Sequence, residues 1–325
     1  MSIKRWGIKQ TSKIIKLAFN YLIYLYPTID LKKTGQAGLI LLTCHRDIPM
    51  IITAMQSFYY SSRLNLPCII IDDGTLTQKD KITLKGNFKN LEIWSSQKTK
   101  KKSLKKLKKY PYCHLRRKSD SPDKMQNMRR IKFFDLFLTT PFEKNIFFDS
   151  DVLFLNKPTE IIKWAKNPKD KRILYSNQRK NKSLEIIGGS RDSNIISRML
   201  YFRKNKQLPY FFNSGLLCFP KDFYKLRMYE KQLKYMYQVG LQETWAAGQF
   251  ILSTMIFKTN HRELPFNEYP HLRIPSEAKK IFPAKIFSKK FIHFSFKSKP
   301  LFWLTALVLT IKTKLFQKNY ERNQD

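Results

Sequence analysis

The sequence predicts an α/β protein built on a mostly parallel central sheet flanked by helices. Three observations predict it. Continuous apolar runs at residues 37–44 (AGLILLTC), 66–71 (LPCIII) and 146–148 (IFF) read as strands covered on both faces, the pattern of parallel sheets. Each run stops abruptly on polar residues, and helical stretches separate the runs. Right-handed crossovers then carry the C-terminal ends of the strands to one edge, where such sheets hold their ligands.

Residues 1–35 are expected to form a basic N-terminal helical segment, 36–300 a single domain, and 301–325 a basic amphipathic C-terminal helix. The apolar stretch 14–26 has basic residues ahead of it and Lys16 inside, and it lacks the small-residue cleavage site of a signal peptide. Neither it nor residues 301–311 reaches the roughly 18–20 apolar residues that span a bilayer. Both are expected to lie on a surface, the protein's own or a membrane's, and a secretory-pathway anchor is not expected. The first strand (37–44) ends on Thr43, Cys44, His45, Arg46 and Asp47, and a helical stretch over 49–63 follows. The second (66–71) ends on Asp72-Asp73-Gly74, foremost a turn signal, and a shorter third strand covers 90–94. The lysine-rich run 98–109 reads as a solvated loop or exposed helix face. Apolar residues at helical spacing over 124–138 predict a helix capped by Asp123 or Ser121 and carrying Arg129, Arg130 and Lys132. Strands are expected at 172–176 and 291–294, helices at 222–237 and 243–257. Within 208–220, Asn213-Ser214-Gly215 interrupts an aromatic and aliphatic strand pattern, as a bulge does where backbone approaches a ligand.

Composition bounds the partners. A count of 62 Lys+Arg against 24 Asp+Glu gives a formal charge of +38, which favours anionic partners such as phosphate-bearing substrates, nucleic acid or an anionic membrane face. The prevalence of Lys, Ile, Asn and Phe also fits an AT-rich coding sequence, so part of that charge is compositional. Aromatic content of 14% argues against disorder. The four cysteines show no C-x-x-C spacing, which points to a reducing, cytoplasmic compartment and no zinc site.

The most informative stretch is 145–158, NIFFDSDVLFLNKP. An apolar strand stops at Asp149 and Asp151, whose i and i+2 positions put both side chains on one face. Two adjacent carboxylates repel unless a positive charge sits between them, and a hard cation such as Mg²⁺ or Mn²⁺ is the natural occupant. A polar strand end is the bland alternative. Further along the chain stand F-N-S-G at 212–215, a helix with Gly248-Gln249, L-P-x-N-x-Y at 264–269, and I-H-F with K-x-K-P at 292–300.

In that order these motifs resemble the GT-A-fold glycosyltransferases, most closely glycosyltransferase family 8, the glycogenin and galactosyltransferase-like group, over roughly residues 38–300. The resemblance implies a GT-A (Rossmann-like) catalytic domain with its D-x-D at a strand end. It implies Asp149, Asp151 and His293 as ligands of Mn²⁺ or Mg²⁺, and Lys299 as the lysine that neutralises the donor diphosphate. Thr43, His45 and Asp72 fall where nucleotide base and ribose are bound, and Arg129 where a basic residue reaches the donor. Asn213, Ser214 and Gly215 match the loop facing sugar and acceptor, and Gln249 the glutamine of a D-Q or E-Q pair. Gly248 departs from that pair; Glu243 stands one or two turns earlier as a substitute acid. The implied activity is transfer of a sugar from a nucleotide-sugar, as a UDP-sugar, to a glycan or lipid-linked acceptor, with retention of configuration. Basic terminal helices suit peripheral contact with the anionic inner face of a membrane. Two other readings stay open. A nucleic-acid-binding protein would use the lysine run, but aromatics for base stacking are missing there until Tyr110 and Tyr112, so nucleic acid is not expected. An inactive relative that binds nucleotide-sugar without turnover fits the Gly248 departure.

Overall fold

The computed structural model describes residues 14–19, 21–23, 27–119, 121, 123–177, 212–243, 245–272, 285–295 and 298–322, with backbone alone at 245–246 and 312–322. Residues 1–13 of the basic N-terminus, 208–211 ahead of the N-S-G stretch, Lys297 and residues 323–325 lie outside these.

Twelve short strands appear among the described residues: β1 (Ile29–Asp30), β2 (Ala37–Thr43), β3 (Cys68–Asp72), β4 (Phe88–Lys89), β5 (Glu92–Trp94), β6 (Lys144–Phe148), β7 (Val152–Phe154), β8 (Ile173–Asn177), β9 (Phe212–Pro220), β10 (His261–Glu263), β11 (His271–Leu272) and β12 (Phe291–Phe294). Seven of them form one sheet in the order β10-β8-β9-β6-β2-β3-β5. In it only β9 runs against its neighbours, since β6 and β8 both pair with it antiparallel while the other ladders are parallel. The predicted mostly parallel sheet is therefore present, with one reversed strand inserted. All seven residues of β2 and all five of β3 are buried, as continuous apolar runs require when both faces are covered.

Alternate residues feed two cores. Leu39 and Leu41 of β2 pack in one cluster with Ile51, Met55 and Phe58 of helix Ile48–Ser62. Ile40 and Leu42 pack in the other with Phe134, Leu233 and Ile251. Helix Ile48–Ser62 has proline in its first turn and closes on Arg63 in the left-handed region (φ 53°). Helix Gln78–Asn87 starts on a capping box between Thr77 and Asp80. The lysine run is helix Ser96–Leu107, capped by Ser95, and helix Pro111–Lys118 follows it.

The predicted helix over 124–138 is not uniform. Asp123 caps Lys124–Arg130, but residues Ile131–Asp135 form a π-helical turn before Leu136–Thr139 resumes α-helix. A second, three-stranded sheet, β11-β12-β7, joins the large one through residues 149–151, which leave β6 and enter β7. The terminal helices pack on the protein: Phe19 and Trp303 contact each other with ring centroids 5.2 Å apart, and Ile15, Ile23 and Phe302 are buried beside them.

Candidate active site

The C-terminal edge of the large sheet brings several of the predicted residues close together. Thr43 pairs directly with Asp72 at the ends of β2 and β3, and β6 stops beside them at Phe148. One detail differs from the expectation of a strand end. Residues 149–151 turn between two sheets instead of extending β6, and it is this turn, not strand alternation, that brings Asp149 and Asp151 together. The turn is anchored on both sides: the Asp149 N–H donates to the Gly215 carbonyl at 3.0 Å, and the Phe294 N–H to the Asp151 carbonyl at 2.8 Å.

His293, buried on β12, completes the cluster. Ligand atoms of Asp149, Asp151 and His293 all lie within 4.8 Å of one another. His293 Nε2 is 3.1 Å from Asp151 Oδ1 and 3.9 Å from Asp149 Oδ2. The hydrogen-bond network assigns its tautomer. The Gly215 backbone N–H donates to Asn213 Oδ1 (2.6 Å), which fixes the oxygen end of that amide. His293 Nδ1, 3.2 Å from the same oxygen, therefore carries a proton and donates, and Nε2 is the nitrogen that faces the carboxylates. The other end of Asn213 donates to His271 Nδ1 (2.9 Å), His271 Nε2–H donates to Ser295 Oγ (2.6 Å), and the two imidazoles stack with centroids 4.5 Å apart. Nε2 can meet Asp151 Oδ1 either as a protonated donor or, with its lone pair free, through a cation held between them, and mixed oxygen and imidazole ligands suit Mn²⁺. The donor set thus fits a divalent cation, with Asn213 behind His293 as the orienting partner.

Gly215 is a steric requirement of this arrangement. A Cβ there would fall under 3.0 Å from His293 Cε1 and Nδ1 and from Asn213 Oδ1. The three residues of the N-S-G stretch stand opposite an irregularity in the ladder: Tyr175 pairs with Leu217 while the next residue, Ser176, pairs with Asn213. The expected interruption of the strand, a bulge or loop, coincides with this register shift.

Two ammonium groups balance the carboxylates. Lys299 Nζ lies 3.1 Å from Asp151 Oδ2, and Lys132 Nζ donates to Asp149 Oδ1 at 2.6 Å. Each holds one oxygen of its carboxylate and leaves the other, Asp149 Oδ2 or Asp151 Oδ1, toward His293. Burial pushes the Asp151 carboxyl up, but His293 and Lys299 overcome this and hold it well below the usual carboxylate range. Burial works against the Lys299 ammonium, while Asp151 and Asp47 more than reverse it, leaving Lys299 above its ordinary value. Ser150, between the two aspartates, donates to Asp47 Oδ2 at 3.1 Å.

The remaining predicted residues are distributed around this centre. Thr43 is buried with an Oγ1 that has no hydrogen-bond partner among the described residues. The Asp72 carboxylate accepts the N–H groups of Gly74 and Leu76 and pairs with Lys81 at 3.5 Å, so it shapes the turn as well as the edge. His45 is exposed, with Nδ1 2.7 Å from Asp80 Oδ2. Ser214 is buried and lines a small gap with Lys132 and Phe147. Gln249 donates to the Phe212 carbonyl at the start of β9 (2.6 Å). Arg129 stands apart from the carboxylates, in a pocket with Arg116 and Arg130. Glu243, the substitute acid, is ion-paired to Arg116 and Arg130. Sequence reasoning did not single out Lys132 or His271. The π turn sets the facing of Lys132, and His271 sits in a two-residue strand with no periodicity of its own.

No protein-family model and no curated protein matches the sequence. Solved structures do match. The galactosyltransferase LgtC, solved with donor and acceptor sugar analogues, superposes with a TM-score of 0.52 at 10% identity, covering 85% of this chain and 95% of that one. The chain has the GT-A fold. Apo mouse xyloside xylosyltransferase 1 superposes with a TM-score of 0.51 at 11% identity, covering 82% of this chain and 97% of that one. At such identities the likeness speaks for the GT-A fold, and the chemistry rests on the site.

Proposed function

We propose that this chain is a metal-dependent glycosyltransferase that moves a sugar from a nucleotide-diphosphate sugar, a UDP-sugar by resemblance, to a glycan or lipid-linked acceptor. The observation that carries the reading is the Asp149–Asp151–His293 cluster within 4.8 Å, flanked by Lys132 and Lys299 at the edge of a GT-A sheet. Asp149, Asp151 and His293 would hold Mn²⁺ or Mg²⁺, which supplies Lewis-acid stabilisation of the departing diphosphate. Breaking the sugar–phosphate bond builds negative charge on that leaving group. Lys299, beside Asp151 at that edge, would meet it with its ammonium charge. Lys132 holds one oxygen of Asp149 and leaves the other free to face the site. Thr43, with its unpaired buried hydroxyl, and Asp72 and His45 beside it on the same edge, would bind nucleotide. Ser214, Gly215 and Gln249 would face the sugar, with Arg129 on the donor side.

Calorimetric titration of UDP with and without Mn²⁺ tests this on wild type and Asp151→Ala. Binding that needs Mn²⁺ and disappears in the variant is expected. Absence of nucleotide binding alongside salt-sensitive binding of DNA or RNA would overturn it. Turnover of UDP-sugars by the protein that binds them separates an active transferase from an inactive relative.

We also propose peripheral contact with an anionic membrane face. The N-terminal segment presents Ile14, Leu17 and Tyr21 outward (65–78% exposed), and the C-terminal helix Lys299–Arg322 presents Ile311. Among the described residues no helix is long and apolar enough to cross a membrane.

A further inference from the structure

A second pocket lies toward the other end of the large sheet. Strand β8 runs parallel to β6, since both are antiparallel to β9. Asn177, at its C-terminal end, is therefore on the edge of the candidate active site, and Arg172, just ahead of the strand, is on the opposite edge. There helix Thr159–Lys166 and the turn into β8 border a space of about 310 Å³ lined by Glu160, Lys163, Trp164, Asp170, Arg172 and Arg262. Arg262 comes from β10. It pairs with Leu174 in the β8–β10 ladder, so both side chains leave the sheet on one face, where Leu174 shares a core with Trp164 of the helix. The volume is that of a site for a small organic molecule and well above the share of a few waters.

The carboxylates of this lining are answered. Asp170 accepts from Nε and a terminal nitrogen of Arg172 at 2.9 and 2.7 Å, and Glu160 from Tyr269 and Lys290 at 2.6 and 2.9 Å. Two of the cations are not. Lys163 and Arg262 are exposed, and neither side chain has a hydrogen-bond or ion-pair partner among the described residues. A further ammonium is buried behind the wall. Lys144 Nζ lies 4.1 Å from the centroid of the Trp164 ring and donates to the carbonyls of Trp164 and Asn167, not to a carboxylate. Burial lowers Lys144, against a smaller pull from Asp170. Lys144, Lys163, Arg172, Arg262 and Lys290 thus stand against Glu160, Asp170 and Glu268, an excess of two positive charges among these groups. A guanidinium fork matches the oxygens of phosphate and carboxylate, and an ammonium adds a point charge beside it. We propose that this pocket is a second ligand site, for a small organic molecule bearing a phosphate or carboxylate group held by Arg262 and Lys163. The proposal stands on this lining and not on the glycosyltransferase reading.

Calorimetric titration of the full chain with glucose, glucose 6-phosphate and glucuronate, at constant ionic strength and without nucleotide, tests it. At least one of the two anions is expected to bind about tenfold or more tightly than glucose, and the pair tells phosphate from carboxylate. That preference is expected to disappear in the double variant Lys163→Gln/Arg262→Gln. It should persist in Lys108→Gln/Lys109→Gln, which removes the same charge from outside the pocket. Equal binding of all three sugars, no binding of either anion, or a preference that survives the first double variant or is lost equally in both would overturn the proposal. Mn²⁺-dependent UDP binding, measured on the same proteins, is expected to be unchanged. Its absence from all of them would count against the active-site reading alone.

Discussion

At the scale of residues, the site depends on two that hold His293 in place. Asn213 directs His293, and removing such an orienting partner typically lowers metal affinity about 10–100-fold. Asn213→Ala is therefore expected to weaken Mn²⁺-dependent UDP binding by that factor while circular dichroism stays native, with calorimetry as the measurement. Gly215→Ala is expected to do more, because its methyl group collides with the His293 ring and Asn213 together. Mn²⁺-dependent binding should fall below detection in that variant, whereas Gly240→Ala, in open space despite its positive φ, should leave it intact. Asp149, Asp151, Asn213 and His293 were legible in the sequence because each sits in a short pattern whose neighbours and order carry information. Lys132 was visible as a basic residue and illegible as a partner of Asp149.

At the scale of elements, the reason is the π turn over Ile131–Asp135. Periodicity reads 124–138 as one helix, and a π turn rotates the facing of the residues in and after it without changing the apolar count. The turn is held by a buried ion pair: Arg117 donates through Nε and a terminal nitrogen to both oxygens of Asp135 (2.7 and 2.6 Å), and Thr99 donates to the same carboxylate at 2.8 Å. Asp135 is fully buried and the Arg117 side chain is 5% exposed. Asp135→Ala strands a buried guanidinium, so a loss of about 3–5 kcal/mol is expected in urea denaturation. The sheet was legible in outline, since apolar runs declare buried strands. The reversal of β9 was not, because the composition of a strand does not declare its direction.

At the scale of the whole molecule, charge bears on stability and on the proposed membrane contact. Glu160 ties helix Thr159–Lys166 to the start of β12 by accepting from Tyr269 (2.6 Å) and Lys290 (2.9 Å). Burial pushes its carboxyl up, but Tyr269 and Lys290 bring it down from 4.5 to about 2. A depressed folded-state value stabilises the fold above the unfolded value and is lost on acidification. The melting temperature is thus expected to drop between pH 4.5 and 2, and by less in Glu160→Gln, which has no such charge to lose. The excess of +38 should also bind vesicles containing phosphatidylserine and release them as salt rises, with neutral vesicles as the comparison in co-sedimentation. Retention of the vesicles at high salt would show apolar insertion to dominate.

His293 stands 142 residues beyond Asp151 in the chain, yet they share one cluster. During synthesis the two aspartates emerge long before the imidazole that completes the set, and β12 pairs with β7 only after β9 and β11 have been made. An unfinished chain therefore carries the acidic turn without the means to close it. On the proposed function, the complete ligand set would come together only with β12, so a chain ended before it would lack the third ligand.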